Sequence, residues 1–368
     1  MLKKTIKNIN GLDISINYST SNKRMAEKKK YILLLHGFPE LGFSFRYLIK
    51  ILSSKGYFCI APDQRGYGYT KFKTKKEENL QRFSVLNLAK DMYLLLKELK
   101  IDKVDIIGHD FGSYVSCYLT MLYPKIINSL VIMSMPFSGP PEKNKSNLLN
   151  MIKVNKDLGR LNPKRKHYQS YFCNVSAAKN MYNCKQGIFE FLRGYYYFKS
   201  HNYIKNKPHR LKNNSAREFS KLPEYYIMNK NMGMAETIKK YMPDKKQLLN
   251  CQLWLTDKDL KYYSKAFQNA GFKNPLKWYK MMLSQDDRNN ILKENLPNTL
   301  NVPAIFIAGI ADWGIYQSPG TLEKMNIKFF SNFFGIKLIK DAGHWVQQEN
   351  PSETAKVILN FYKDIKDK

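Results

Sequence analysis

The sequence predicts a mostly parallel, doubly wound α/β sheet with a mostly helical segment inserted into it. Three observations carry that reading. Short apolar runs, several ending in Gly, Pro or His, read as strands buried on both faces. Amphipathic helical patterns lie between them, and strand–helix alternation argues for a parallel sheet covered on both sides. The alternation stops after residue 136 and resumes near residue 301.

In chain order, the run at 31–35 ends at His36-Gly37, the run at 57–61 at Pro62-Asp63 and the run at 104–107 at Gly108, and the run at 127–133 closes the first block. Between the second and third runs, Val85, Leu88, Met92, Leu95 and Leu99 fall three and four apart, the spacing of one helix face. Residues 137–300 hold no good buried strand. They are rich in Lys, Asn, Tyr and Met, with helical patches at 187–197 and 260–270 and a polar stretch at 201–222 that reads as a loop insertion. Runs at 303–308 and 336–339 restore the strand pattern. Asn350-Pro351-Ser352-Glu353 then writes an N-cap, a proline at the first helical position and an acid at N3, and Val357, Ile358 and Phe361 supply the buried face. The expected organisation is a core domain of residues 1–136 and 301–368 around a helical cap at 137–300, which is close to domain size.

Composition excludes several classes. With 43% apolar and 14% aromatic residues, a sizeable core forms and wholesale disorder does not. No run of eighteen apolar residues exists, so no transmembrane helix is expected. The first residues carry lysines but no apolar stretch behind them, which argues against a secretory signal. The formal charge of +31, from 61 basic and 30 acidic residues, is spread along the chain among Asn, Ile and Tyr. This reads as a compositional bias, and no nucleic-acid partner is expected. The densest basic stretches, at 23–30, 153–166 and 199–217, would give a weak attraction to anionic surfaces. Five cysteines without a CxxC pair point to reduced thiols and a cytoplasmic setting, with neither a disulfide framework nor a zinc site.

The chemistry is written at Gly108-His109-Asp110-Phe111-Gly112. Glycines flank a residue at the junction of an apolar strand and a helix, the pattern of a nucleophile elbow. The bland alternative, an ordinary Asp N-cap, gives no reason for glycines on both sides. The middle residue is an acid, ionised at neutral pH without a base. A carboxylate displaces a leaving group at an sp3 carbon and forms an alkyl–enzyme ester, whose hydrolysis needs a base and an oxyanion hole. His344, in Ala342-Gly343-His344-Trp345, is the natural base, and Asp312, in Gly309-Ile310-Ala311-Asp312-Trp313-Gly314, can orient it. Nucleophile, acid, histidine is the chain order of the α/β-hydrolase fold. The loop His36-Gly37-Phe38-Pro39-Glu40 can offer the Phe38 N–H as one oxyanion donor, with Phe111 N–H as the second. Glu40 either supports the histidine or satisfies its own loop.

With Asp63-Gln64-Arg65-Gly66-Tyr67-Gly68 and Asn274-Pro275-Leu276-Lys277-Trp278-Tyr279 added, these motifs span most of the chain in order. Together they resemble the epoxide hydrolase branch of the α/β-hydrolase superfamily. The resemblance implies an α/β-hydrolase fold with a helical cap and two cap tyrosines that hold the epoxide oxygen. It matches Tyr279 to one of them and Tyr171, in Tyr168-Gln169-Ser170-Tyr171-Phe172, to the other, with Trp278 and Trp345 as substrate-binding side chains. It further implies a small lipophilic epoxide as substrate, a fatty-acid epoxide fitting as well as an aryl one. No cofactor and no metal are called for, because every reacting group is a side chain.

The sequence departs from the family pattern at Phe111, where Trp is common, at Ser113, where a second glycine is common, and at Phe43 and Phe45 after the oxyanion loop. Haloalkane dehalogenases share the acid–histidine engine but resemble a different detail, an Asn and a Trp that grip halide. Phe38 and Phe111 offer no such side-chain donors. Fluoroacetate dehalogenases carry arginines soon after the nucleophile, and none follows Asp110 there. A third reading is a binding module on the same fold, without turnover.

Overall fold

The computed structural model describes residues 1–19, 30–143, 147–325 and 329–367. The basic stretch at 23–30 lies almost wholly outside them. The strands are β1 (Leu2–Ile9), β2 (Leu12–Tyr18), β3 (Lys30–Leu35), β4 (Tyr57–Pro62), β5 (Lys71–Phe72), β6 (Val104–His109), β7 (Ile127–Met133), β8 (Arg165–His167), β9 (Ile227–Asn229), β10 (Ala304–Gly309) and β11 (Phe333–Ile339). Eight of them order as β1-β2-β4-β3-β6-β7-β10-β11, with β5 added beside β2. All neighbours from β4 to β11 pair in parallel.

The apolar runs become strands because both faces are covered. In β3, Ile32 and Leu34 join one core and Leu33 and Leu35 the other, as side-chain alternation requires. One face is covered by the helices Arg46–Ser54 and Pro351–Asp364, through residues such as Leu48, Ile49, Leu52, Ile358 and Phe361. The other is covered by Val85–Glu98 and Phe111–Leu122. Val85, Leu88, Met92 and Leu95 are buried along the first of these as their spacing predicts.

Two features escape the strand–helix pattern. Residues 2–18 form an antiparallel hairpin, with Ile9 opposite Leu12 across Asn10-Gly11. Both turn residues have positive φ, 47° and 79°, as the two-residue hairpin turn favoured by Asn-Gly requires. Between β7 and β10 the chain is mostly helical, but β8 and β9 pair as a small antiparallel sheet, Arg165 opposite Asn229. Three residues are too few to show a period of two, so these strands leave no sequence pattern.

The Asp63–Gly68 motif is an anchor for the region around the site. Gln64 N–H donates to His36 Nε2 at 3.1 Å, and Gln64 Nε2 donates to His36 O at 2.6 Å. Burial pushes the His36 imidazole down to about 4, so it accepts as the neutral ring. Arg65 grips both Asp91 oxygens at 2.7 and 2.8 Å, while its carbonyl accepts the Trp278 indole N–H at 3.0 Å. All five cysteines are free thiols. Among the described residues no helix is long and apolar enough to cross a membrane.

Candidate active site

The site lies at the carboxyl ends of the parallel strands, where loops from several strands converge. Asp110 follows β6 directly and has φ 51° and ψ −122°, a conformation costly for a non-glycine residue and common at functional bends. Its N–H donates to Met133 O at 3.0 Å, which fixes the bend to β7. The glycines around it are demanded by contact. A Cβ on Gly37 would collide with the Asp110 carboxylate, and one on Gly112 with the Leu35 carbonyl.

The predicted triad comes together. Asp110 Oδ1 accepts the Phe38 N–H at 3.2 Å. Asp110 Oδ2 lies 3.4 Å from His344 Nε2, and His344 Nδ1 lies 3.0 Å from Asp312 Oδ1. Asp312 Oδ1 also accepts the Gly314 N–H at 2.7 Å. The Asp312 carboxylate at Nδ1 orients the imidazole with Nε2 toward Asp110. Phe111 opens its helix, so its N–H lacks an acceptor within that helix. Burial alone would raise the Asp110 carboxyl. The adjacent His344 imidazole, with the charges of Lys199 and His109, outweighs it and holds the group well below the usual carboxylate range. Asp312 is likewise low, with burial overcome by His344, the Gly314 N–H and Lys199.

Glu40 does not touch His344. Its Oε2 sits 2.6 Å from His109 Nδ1, and its Oε1 accepts the side-chain amides of Gln347 and Gln348 at 2.8 and 2.9 Å. His109 Nε2 lies 2.7 Å from the His344 carbonyl. A ring facing a carboxylate on one side and a carbonyl on the other donates from both nitrogens, so His109 is an imidazolium. Burial would lower it, but the Glu40 charge and hydrogen bond raise it. Ser134 Oγ donates to the same carbonyl at 3.1 Å. His344 is therefore held through its backbone carbonyl by a buried ion pair.

From the cap, Tyr279 on the helix Lys273–Met282 packs its ring against Phe38, Phe111, Tyr168 and Phe172, with centroids 5.1–5.9 Å apart. Tyr171 is not its partner. The helix Tyr168–Phe172 turns Tyr168 and Phe172, four residues apart, onto Tyr279 and swings Tyr171 outward. Tyr171 lies under Lys166 Nζ, 4.4 Å from its ring centroid, in an outer groove with Met151, Ile152 and Leu283. The phenols record the same placement. Burial raises both, but Tyr168 also senses the Asp110 charge, whereas Tyr171 senses Glu236. Tyr168 further donates to Gln317 Oε1 at 3.1 Å. Its i, i+4 relation to Phe172 is the signal that could have found it.

Both predicted substrate-binding tryptophans are braces. Trp278 packs behind Phe111 at 5.0 Å, and Trp345 lies against the His344 ring at 4.6 Å. Their N–H groups are committed to the carbonyls of Arg65 and Tyr196. The carbonyls fix the indole orientation, so neither N–H is available to a substrate.

Comparison with known proteins places this geometry. A family model described as alpha/beta hydrolase fold matches residues 30–351. Epoxide hydrolase B of Mycobacterium tuberculosis is 27% identical over 349 residues, covering 90% of each chain. Epoxide hydrolase 3 of Siraitia grosvenorii is 25% identical over 340 residues, again with 90% of each chain covered. Among solved structures, an epoxide hydrolase from an endophytic Streptomyces aligns with a TM-score of 0.80 at 19% identity, covering 100% of this chain and 96% of that one. Potato (Solanum tuberosum) epoxide hydrolase I aligns with a TM-score of 0.73 at 22% identity, covering 99% of both.

Proposed function

The chain belongs to the epoxide hydrolase family of the alpha/beta hydrolase fold, and from that membership we propose that it converts lipophilic epoxides to vicinal diols through an ester on Asp110. One observation carries the reading: a buried carboxylate with Oδ1 on a backbone donor and Oδ2 facing a carboxylate-oriented imidazole. The aromatic lining of Phe38, Phe111, Phe172 and Tyr195 suits an apolar substrate.

Asp110 Oδ2 attacks one epoxide carbon, and the carbon–oxygen bond on the far side breaks. The emerging alkoxide takes a proton from a phenol, a role that falls to Tyr168 and Tyr279, whose rings pack together on the cap side of the site. Water then adds to the ester carbonyl and loses a proton to His344 Nε2. The oxyanion on Oδ1 is held by the Phe38 and Phe111 N–H groups. Collapse expels the diol oxygen, which takes the proton from His344. The Asp110 carboxylic acid returns its proton to the phenolate through solvent. The halide-gripping alternative lacks support, since both nearby indoles spend their N–H groups on carbonyls.

The test is a single turnover of trans-stilbene oxide in heavy-oxygen water. The diol should be unlabelled and Asp110 labelled, because the first diol oxygen comes from the carboxylate. Label in the first diol would mean direct attack by water, and absence of any diol across a broad epoxide panel would favour a binding module.

The tyrosines give a second prediction. Tyr168→Phe and Tyr279→Phe should each slow ester formation by about 10- to 100-fold, with the double variant far slower. Tyr171→Phe should stay within about twofold, as expected of an outward-facing ring. Rapid-quench measurement of the adduct distinguishes them, and a Tyr171 defect matching that of Tyr168 would restore Tyr171 to the site.

A further inference from the structure

The steps above leave unused a buried cation at the end of the helix Gly187–Lys199. Lys199 is 4% exposed. Its Nζ lies 5.1–5.7 Å from the ring centroids of Tyr195, Tyr225, Tyr226 and Trp345. Such faces, with their negative quadrupoles, hold a desolvated ammonium. Burial lowers this amine, and the charges of Asp110, Asp312 and Glu40 oppose the loss, in that order. The relation is reciprocal, since Lys199 is among the charges holding Asp110 and Asp312 ionised.

The backbone ties the cage to the base. The Lys199 carbonyl accepts the His344 N–H at 3.0 Å. The Glu349 carboxyl gathers the N–H groups of Gly343, Trp345 and the cap residue His201 at 2.7–3.0 Å. Cap and catalytic loop therefore hold one position, and the ammonium keeps a constant station relative to the imidazole.

We infer that Lys199 is a positioning residue that sets the balance between the two half-reactions, as a buried positive charge favouring the return of negative charge to Asp110. The inference rests on the ester mechanism proposed above. Ester formation removes the charge from Asp110, so a neighbouring cation stabilises the reactant more than the product and restrains that step. Hydrolysis restores the charge, first on the Oδ1 oxyanion and then as the free carboxylate, and the same cation assists it. The other charges facing the imidazole are Asp312 at Nδ1 and the Glu40–His109 pair behind its carbonyl, with Glu349 in the adjoining loop. Lys199 and His109 are the neighbouring cations of Asp110, and His109 is already paired with Glu40.

Single-turnover kinetics with trans-stilbene oxide on Lys199→Met test this. Ester formation should be as fast as in the parent or faster, and ester hydrolysis at least about tenfold slower. Lys199→Arg, which keeps the charge, should retain the parent partition. If the Met variant does not fold by circular dichroism, Lys199→Gln replaces it in the same measurements. An equal fall in both steps would reduce Lys199 to packing and overturn the inference, as would an unchanged partition. A parent protein that forms no ester would instead overturn the mechanism on which the inference rests.

Discussion

Asp110→Ala is expected to abolish diol formation, with kcat/KM falling by at least about four orders of magnitude. Nothing else can stand in for the nucleophile. The other nearby acid, Asp312, lies on the far side of the imidazole, with Oδ1 already shared between Gly314 N–H and His344. The loss should be chemical and not structural. Alanine keeps the main-chain path of the bend, and the change removes a buried charge while leaving one donor, the Phe38 N–H, without its acceptor. A missing partner of that kind costs about 1–3 kcal/mol, partly offset because a carboxylate no longer has to be desolvated. Steady-state diol formation beside a thermal unfolding curve checks both halves. A folded variant retaining activity within about tenfold of the parent would remove Asp110 from the reaction.

His344→Gln should separate the two half-reactions. The imidazole takes no part in opening the epoxide ring, so the ester should form near the parent rate. Its hydrolysis should fall by at least about a thousandfold, the upper range for a lost general base. One equivalent of epoxide would be consumed and then turnover would stall, with the intact mass raised by one substrate and the addition located on Asp110. The loop should survive the change, because it is held through its backbone. His109 and Ser134 engage the carbonyl of residue 344, Lys199 receives its N–H, and Glu349 collects the N–H groups on either side. Ordinary turnover with no adduct by mass spectrometry would show that another group activates the water.

The legible parts of this protein are those whose information is local. The apolar runs became strands of one sheet, largely buried in its interior and partly exposed in β11 at its edge. The bend at Asp110 shows in its flanking glycines, Gly108 and Gly112, since a side chain at either position would strike nearby main chain. Asp312 and His344 follow successive strand ends, so chain order alone brings them to one edge of a parallel sheet. The Asn10-Gly11 hairpin was equally local in its turn residues.

The rest was decided by packing between distant segments. Tyr168 and Tyr171 are equivalent as letters, and only the direction in which a five-residue helix faces Tyr279, more than a hundred residues away, assigns one to the site. Glu40 could not be matched with His109 before β3 and β6 were paired side by side. Lys199 reads as one lysine among many in a basic chain until the fold surrounds it with four rings and sets it near two carboxylates. Residue order along the chain determined the architecture and the Asp110–Asp312–His344 triad, because these follow from periodicity and from strand ends. The tertiary structure alone decided which phenol, which cation and which ion pair attend that triad, because desolvation and Coulomb energy depend on separations in space that no spacing along the chain records.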